Sequence, residues 1–441
     1  MFGRNFWELQ NVNKDWWFWQ STVKETTFFG GKELILWITE LNKKVMEEGT
    51  AYIRGSEGWG KYGVSVSAMN TLPVTVSTGQ ANDTNAAAII PREDYLLTAI
   101  WCFCSSLQYN LEVRKIDQTL KVTNASLIKV PFDLKYWQEV ANEKYPNGLP
   151  KPYSDYGTQW LFHGHPVKAE NPLHVATARL LGYRWPAESD TEMELADEAR
   201  TLINSIRAFD YLADDDGIIC IPSVNNETSA SERLREYLQT ILGGEYSNNT
   251  IVQFLEKEAS KKNNLEDWLR DEFFDQHCKL FQNRPFIWHI WDGRKDGFSA
   301  LVNYHKLTKE NLRKLIYTYL GDWIRQCEFK NKKGESGSEG LLSAALKLKE
   351  KLEMILVGES PCDIFVRWKP IEKQPIGWDP DLNDGVKLNI RPFITADVLR
   401  KKPNIKWGID RGKNPKGSPW GEIRDNDRHL TLEEKGTARG N

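Results

Sequence analysis

The sequence predicts a mixed α+β fold: an N-terminal α/β domain, then a mainly helical domain with a β-hairpin, and a basic C-terminal segment. Three observations carry this. Strand-like alternation and β-branched residues concentrate in the first 140 residues. From residue 173 onward, apolar residues recur at helical spacing. Apolar residues make up 40% of the chain and charged residues 27%, proportions that support a sizeable core. At 441 residues the chain is long enough for roughly two or three domains.

The elements follow in order. Residues 51–54 and 63–67 alternate as strands, and 71–78 (TLPVTVST) is rich in β-branched residues, with Pro73 placing that strand at an edge or at its start. Asp94 is placed to cap one long helix running to Asp117. Residues 121–130 read as a further strand, leading to a short helix near Trp137. The Pro, Gly, Asn and Ser density of 145–166 marks a loop or connector. Helices are predicted at 173–181, within 188–216, and at 232–242, 250–262, 265–279, 309–326 and 341–356. Between them, 283–307 predicts a β-hairpin turned at 292–297 (DGRKDG). The run KNKKGESGSEG reads as a flexible polar linker. The resulting division is 1–140, a connector at 141–186, a helical domain at 187–330, a linker at 331–340, and a terminal segment at 341–441.

Composition excludes several classes. A net charge of −3 rules out a polycation, and the apolar content rules out a wholly disordered acidic chain. Six cysteines scattered over such a length make no disulfide scaffold, which fits a reducing cytoplasm. The start lacks the basic-then-apolar order of a signal peptide, and the longest apolar stretch, 96–107, is shorter than the roughly 20 residues a bilayer requires. A cytoplasmic protein with no membrane partner is the expectation. Aromatic residues reach 12%, including 18 tryptophans, which suit surfaces that meet a partner as well as cores.

Charge is unevenly placed. Residues 1–135 balance at 14 basic and 14 acidic, whereas 387–417 carries nine basic residues against two acidic ones. Arg391, Arg400, Lys401, Lys402, Arg411 and Lys413, interleaved with Trp407 and Trp420, form a candidate polyanion-binding strip. The other reading of that strip is a tail packed back on acidic helices such as 188–198.

Four motifs invite a chemical reading. Residues 58–63 (GWGKYG) match the dinucleotide-binding glycine pattern, but an alternating strand follows where the cofactor site needs a helix. A glycine turn presenting Arg54, Trp59, Lys61 and Tyr62 fits better, residue types suited to phosphate contact and base stacking. Asn283-Arg284-Pro285-Phe286 is similar to the Asn-Pro-Pro-aromatic loop of amino-methyltransferases, with Arg at the second position. No glycine-rich cofactor loop precedes it, so it reads as the start of the hairpin. His163-Gly164-His165 lacks further ligands at a metal-binding spacing. Asp379-Pro380-Asp381 with Asp384 and Lys387 lacks the acidic-x-Lys triplet of metal-dependent nucleases.

Longer strings carry a resemblance. WGKYGVSVSAM, AAIIPREDYLLTAIWCFCSS, IDQTLKVTNASLIKVPFDL, YPNGLPKPYSD, TQWLFHGHP, the hairpin sequence and DLNDGVKLNIRPF resemble the C-terminal half of PglX-like adenine-specific DNA methyltransferases. These enzymes serve BREX and DISARM phage defence, and type IIG restriction–modification proteins are related to them. The resemblance implies an α/β target-recognition domain and a DNA clamp. It also implies that S-adenosylmethionine and the catalytic loop belong to another half, from a longer gene product or a separate subunit. No catalytic, cofactor or metal residue is therefore assigned here. Double-stranded DNA, the catalytic half and other defence proteins are the expected partners. The candidate DNA-contacting residues are Arg54, Trp59, Lys61 and Tyr62; Thr78, Gln80 and Asn82; Lys121, Thr123 and Asn124; and the six basic residues of the tail. Two alternatives stand beside this: a protein-interaction subunit of a defence complex, and a diverged DNA-modifying enzyme.

Overall fold

The computed structural model describes residues 3–12, 14–39, 55–224, 226–247, 249–366, 369–405 and 428–440. The architecture is mixed α/β, and the described strands form three small sheets. The first joins β1 (Gly3–Asn5), β3 (Leu34–Trp37), β2 (Trp16–Gln20) and β6 (Ala81–Asn82), in that order. The second places β4 (Tyr62–Ser67) between β5 (Val74–Thr78) and β7 (Ala86–Ile89). The third places β10 (Ser299–Asn303) between β8 (Ile218–Cys220) and β9 (Ile287–Trp291).

The period-two pattern of β4 explains its layer. Val64 and Val66 join an apolar cluster with Val74, Val76, Trp101, Phe103, Tyr109 and Trp137. Ser65 and Ser67 face the other way and are also buried, so their hydroxyls need partners. The Ser67 hydroxyl accepts from the Val23 amide at 3.0 Å, and Ser65 donates to the Asn82 carboxamide at 3.4 Å. β5 pairs within its sheet only with β4, as Pro73 predicted, and its outer side takes backbone bonds with Thr27 and Phe28.

A second, larger cluster unites Phe6, Trp7, Trp16 and Ile35 with residues from Trp160 to Ile405. The buried hairpin β9–β10 sits in it and turns where the sequence predicted. Asp292 accepts from the amides of Arg294 and Phe298 at 2.9 and 2.8 Å. A Cβ on Gly297 would collide with that carboxylate, which fixes glycine there. Beyond β9 the chain at Leu399 bridges Ile290, and the Arg400 amide donates to the His289 carbonyl at 2.9 Å.

Several expectations are corrected. The single helix at 94–117 is instead a turn at Asp94–Leu96 followed by α1 (Leu97–Cys104) and α2 (Leu107–Ile116). Ser106 accepts from the Tyr109 amide at 3.2 Å and starts a new helix, since a serine side chain competes with the helical ladder. Asp94 makes no side-chain cap. Residues 121–130 hold a bridge at Lys121 and a single turn, Asn124–Leu127, instead of a strand. The Asp117 carboxylate gathers Thr119, Thr123 and Ser126 and bends the segment. Within 188–216 the helix α3 covers only Asp197–Arg207. The predicted helix at 265–279 breaks at Glu272 into α4 (Leu265–Asp271) and α5 (Phe273–Leu280). The polar run expected as a linker is the tight turn between α6 (Leu320–Lys332) and α7 (Ser338–Val357), closed by bonds from Gly334 to Asn331 and Ser338 to Glu335. No described helix is long and apolar enough to cross a membrane.

Candidate nucleic-acid interface

The glycine turn starts as a 3-10 turn, Ser56–Gly58, and runs directly into β4. A strand, not a helix, follows the glycines, so no helix N-terminus stands there to hold a pyrophosphate. The turn docks on the bend after β5. The Gly60 amide donates to the Gly79 carbonyl at 2.9 Å, and a Cβ on Gly79 would lie 2.7 Å from the Gly60 Cα. Both glycines have positive φ, 71° and 89°, so the contact needs glycine on each side.

This docking brings the predicted residues of two segments together. Trp59 meets the exposed Trp17 edge to face, with centroids 5.4 Å apart. Lys61 is exposed beside them. Tyr62 pairs with Thr78 across the sheet, and its hydroxyl donates to Glu194, ahead of α3. Partial burial first, and Glu194 second, push the Tyr62 phenol up to about 12, so it remains a donor. Arg54 lies outside the described residues.

Under the bend sits a lysine with no signature in the sequence. Lys32 is fully buried, and its ammonium donates to the Thr78 hydroxyl at 2.5 Å while lying 4.5 Å from the Trp160 ring centroid. Among the described residues no carboxylate comes within 4 Å of it. Desolvation lowers its pKa to about 7. Thr78 in turn donates to the Gln80 side-chain oxygen at 2.8 Å. Asn82 is turned inward, its amide nitrogen 3.4 Å from the Gln80 carbonyl and its oxygen 3.4 Å from Ser65. The sequence around Lys32, GGKEL, reads as an ordinary polar turn, so only the fold reveals it. Trp17 lies in the aromatic run WWFW, which has no apolar–polar alternation to show which of its rings is open to solvent.

The remaining predicted residues lie elsewhere. Lys121 bridges Met69, at the opposite end of the β4–β5 hairpin from Thr78. Thr123 is tied to Asp117 through its amide and to Ser126 through its hydroxyl, and Asn124 is exposed beside it. Hydrogen bonds from the Thr119 hydroxyl first, then the Thr123 and Thr119 amides and the Ser126 hydroxyl, hold the Asp117 carboxyl well below the usual carboxylate range. The structure thus does not unite 121–124 with 78–82.

In the tail, Arg391 is buried and its guanidinium meets the His429 ring at 2.9 Å, with His429 bonded to Asp363 at 2.6 Å. Arg400 stacks 4.0 Å over the Trp291 ring and pairs with Asp271 at 3.2 Å. Lys401 pairs with Asp275 and Lys402 with Asp397. The acidic surface that Arg400 and Lys401 meet is α4 and α5, not 188–198. Arg411 and Lys413, with Trp407 and Trp420, lie outside the described residues.

The other motifs are structural. Asn283 accepts from the Asn404 amide at 2.9 Å, the Arg284 carbonyl accepts from the Trp7 indole at 3.1 Å, and Phe286 is wholly buried against His305. A ring so placed cannot stack on a flipped base. His163 accepts from the His165 amide at 3.0 Å, and burial lowers its pKa to about 3. Asp381 and Asp384 both pair with Lys369, at 3.0 and 2.6 Å. Among the described residues no group of three His, Cys, Asp or Glu is arranged to hold a metal ion.

Comparison with known proteins places these features in context. No family model matches the chain. It is 25% identical over 200 residues to an adenine-specific methyltransferase PglX of Lacticaseibacillus casei (strain Zhang), covering 44% of this chain and 16% of that protein. It is 23% identical over 205 residues to an adenine-specific methyltransferase BrxX of Escherichia coli O9:H4 (strain HS), covering 43% of this chain and 17% of that protein. The chain thus has a distant, partial relationship to adenine-specific methyltransferases, and the match spans about a sixth of their length.

Proposed function

We propose that this chain recognises and grips double-stranded DNA for an adenine-specific methyltransferase of phage defence, while a catalytic half supplies the methyl transfer. One observation supports the reading above the rest: the glycine turn that carries Trp59 and Lys61 docks at Gly79, next to Gln80 in the chain, with Trp17 packed on Trp59. That edge offers stacking rings, a phosphate-seeking cation and a base-reading amide together. S-adenosylmethionine belongs, on this reading, to the catalytic half, which lies in a longer chain or in a cytoplasmic partner subunit. Neutralised phosphates release counterions, so affinity should fall steeply with salt.

A gel-shift titration of the full chain on duplex DNA at two salt concentrations tests this. Tight binding at low salt that weakens at high salt is the expected result. Absence of binding, even with the catalytic half added, would overturn it.

A second reading, a protein-interaction subunit, draws on α2 and the segment from 117 to 128. Leu107, Leu111, Leu120 and Ile128 leave apolar surface in solvent. Size-exclusion chromatography with candidate defence proteins separates the two readings, since only the second expects a stable complex without DNA.

A further inference from the structure

The bend after β5 contains a hydrogen-bond relay that begins at a buried lysine. Lys32 can give hydrogens to Thr78. The Thr78 hydroxyl has one hydrogen, which goes to the Gln80 side-chain oxygen, and the ammonium bonded to its oxygen polarises it toward donating. The Gln80 amide nitrogen is left without a partner among the described residues, on a half-buried side chain beside Trp59. A glutamine amide unconstrained by neighbours can turn over and offer either edge. Here a turned amide would bring a second N–H to an oxygen already accepting from the buried ammonium, and would take from the Thr78 hydrogen its acceptor among the described residues.

We propose that Lys32 is a specificity-positioning residue: through Thr78 it holds the Gln80 carboxamide with its N–H edge outward, so that this position reads a hydrogen-bond acceptor on a base. The inference rests on the DNA-recognition reading above. A donor of this kind matches guanine O6 and N7, adenine N7 or thymine O4 in the major groove, and it opposes the amino group of cytosine. Asn82, whose amide is engaged at both ends, makes no such contribution.

The test uses the full chain and a pool of random-sequence duplexes at pH 6.5, below the value of about 7 to which burial brings Lys32. Sequencing the bound fraction identifies the preferred site, and gel shifts on single-base variants measure discrimination at each position. Gln80→Glu replaces the outward donor with an acceptor and is expected to move the preference at one position toward cytosine. Lys32→Met and Thr78→Val each free the amide, and each is expected to lower discrimination at that same position about tenfold, with other positions unchanged. Thermal melting confirms that each variant is folded, and Thr78→Val carries the test alone if Lys32→Met does not fold. If Gln80→Glu moves the preference while the two relay variants keep wild-type discrimination, the role of Lys32 is overturned and the DNA reading stands. If Gln80→Glu changes nothing at a sequence-selective wild-type site, the assignment of Gln80 fails. A wild-type chain with no preference at any position overturns the DNA reading itself.

Discussion

The glycine-turn edge and the basic tail hold the same residue types and use them in opposite ways. In the tail, the described basic residues Arg391, Arg400, Lys401 and Lys402 all meet side chains of the fold, the first two of them in buried or half-buried positions. At the turn, Trp17 and Lys61 are exposed and Trp59 and Gln80 half-buried, while the buried cation beneath them has no carboxylate partner among the described residues and donates to a hydroxyl. The contrast shows that a run of basic residues in the sequence does not tell which of its charges the fold leaves unpaired.

The largest expected effect breaks the tail. Asp363 is fully buried, accepts from the Leu430 amide at 3.0 Å and faces the buried Lys435 at 3.7 Å. Asp363→Ala strands Lys435 and the Arg391–His429 pair, and should cost about 3–5 kcal/mol of stability, read by denaturant unfolding. A change below about 1 kcal/mol would show that the tail is not locked. At the other region, Trp59→Ala should leave the melting temperature nearly unchanged but weaken DNA binding by about 1–3 kcal/mol, the usual value of one base stacked on an aromatic ring. Equal losses from the double reversal Lys401→Glu/Lys402→Glu would erase the comparison and return the tail to the interface.

Protonation sharpens the contrast further. Burial lowers His163 and His289 to about 3, whereas each regains an ordinary value near 6.5 when unfolded. Below pH 6.5 the unfolded chain therefore binds more protons. Stability is complete above that pH and falls as pH drops toward 3, by up to about 1.4 kcal/mol per pH unit for each histidine. Lys32 acts in a higher window: between pH 7 and 10.5 only the unfolded chain is charged there, so stability should rise with pH. Melting wild type and Lys32→Met from pH 7 to 9 should reveal a slope difference of about 1.4 kcal/mol per pH unit. Parallel curves would mean that Lys32 is solvated. The smallest effect is Lys402→Ala, which removes an exposed pair with Asp397 and should not shift the melting temperature measurably.

Local rules made part of this legible. The Val–Ser alternation of β4 and the Asp-Gly turn of β9–β10 announce their elements because period and turn chemistry act over a few residues. Helix breaks at Ser106 and Glu272 were hidden, since the apolar period continues across both. The partners of the tail were equally hidden: Asp271 and Asp275 stand more than a hundred residues before Arg400 and Lys401, and no spacing encodes such a contact. Trp59, Lys61 and Gln80 could be nominated from residue type, but Lys32 became visible only once β5 was laid over it.

The contact of Gly60 with Gly79 has an evolutionary corollary. A Cβ on Gly79 would strike the Gly60 backbone, and the positive φ of both residues favours glycine at each, so the turn and the bend are held in close contact. On the DNA-recognition reading, a replacement at position 59, 61 or 80 alters which chemical group is displayed and leaves this backbone contact in place, so new letters could be written one at a time on an unchanged frame.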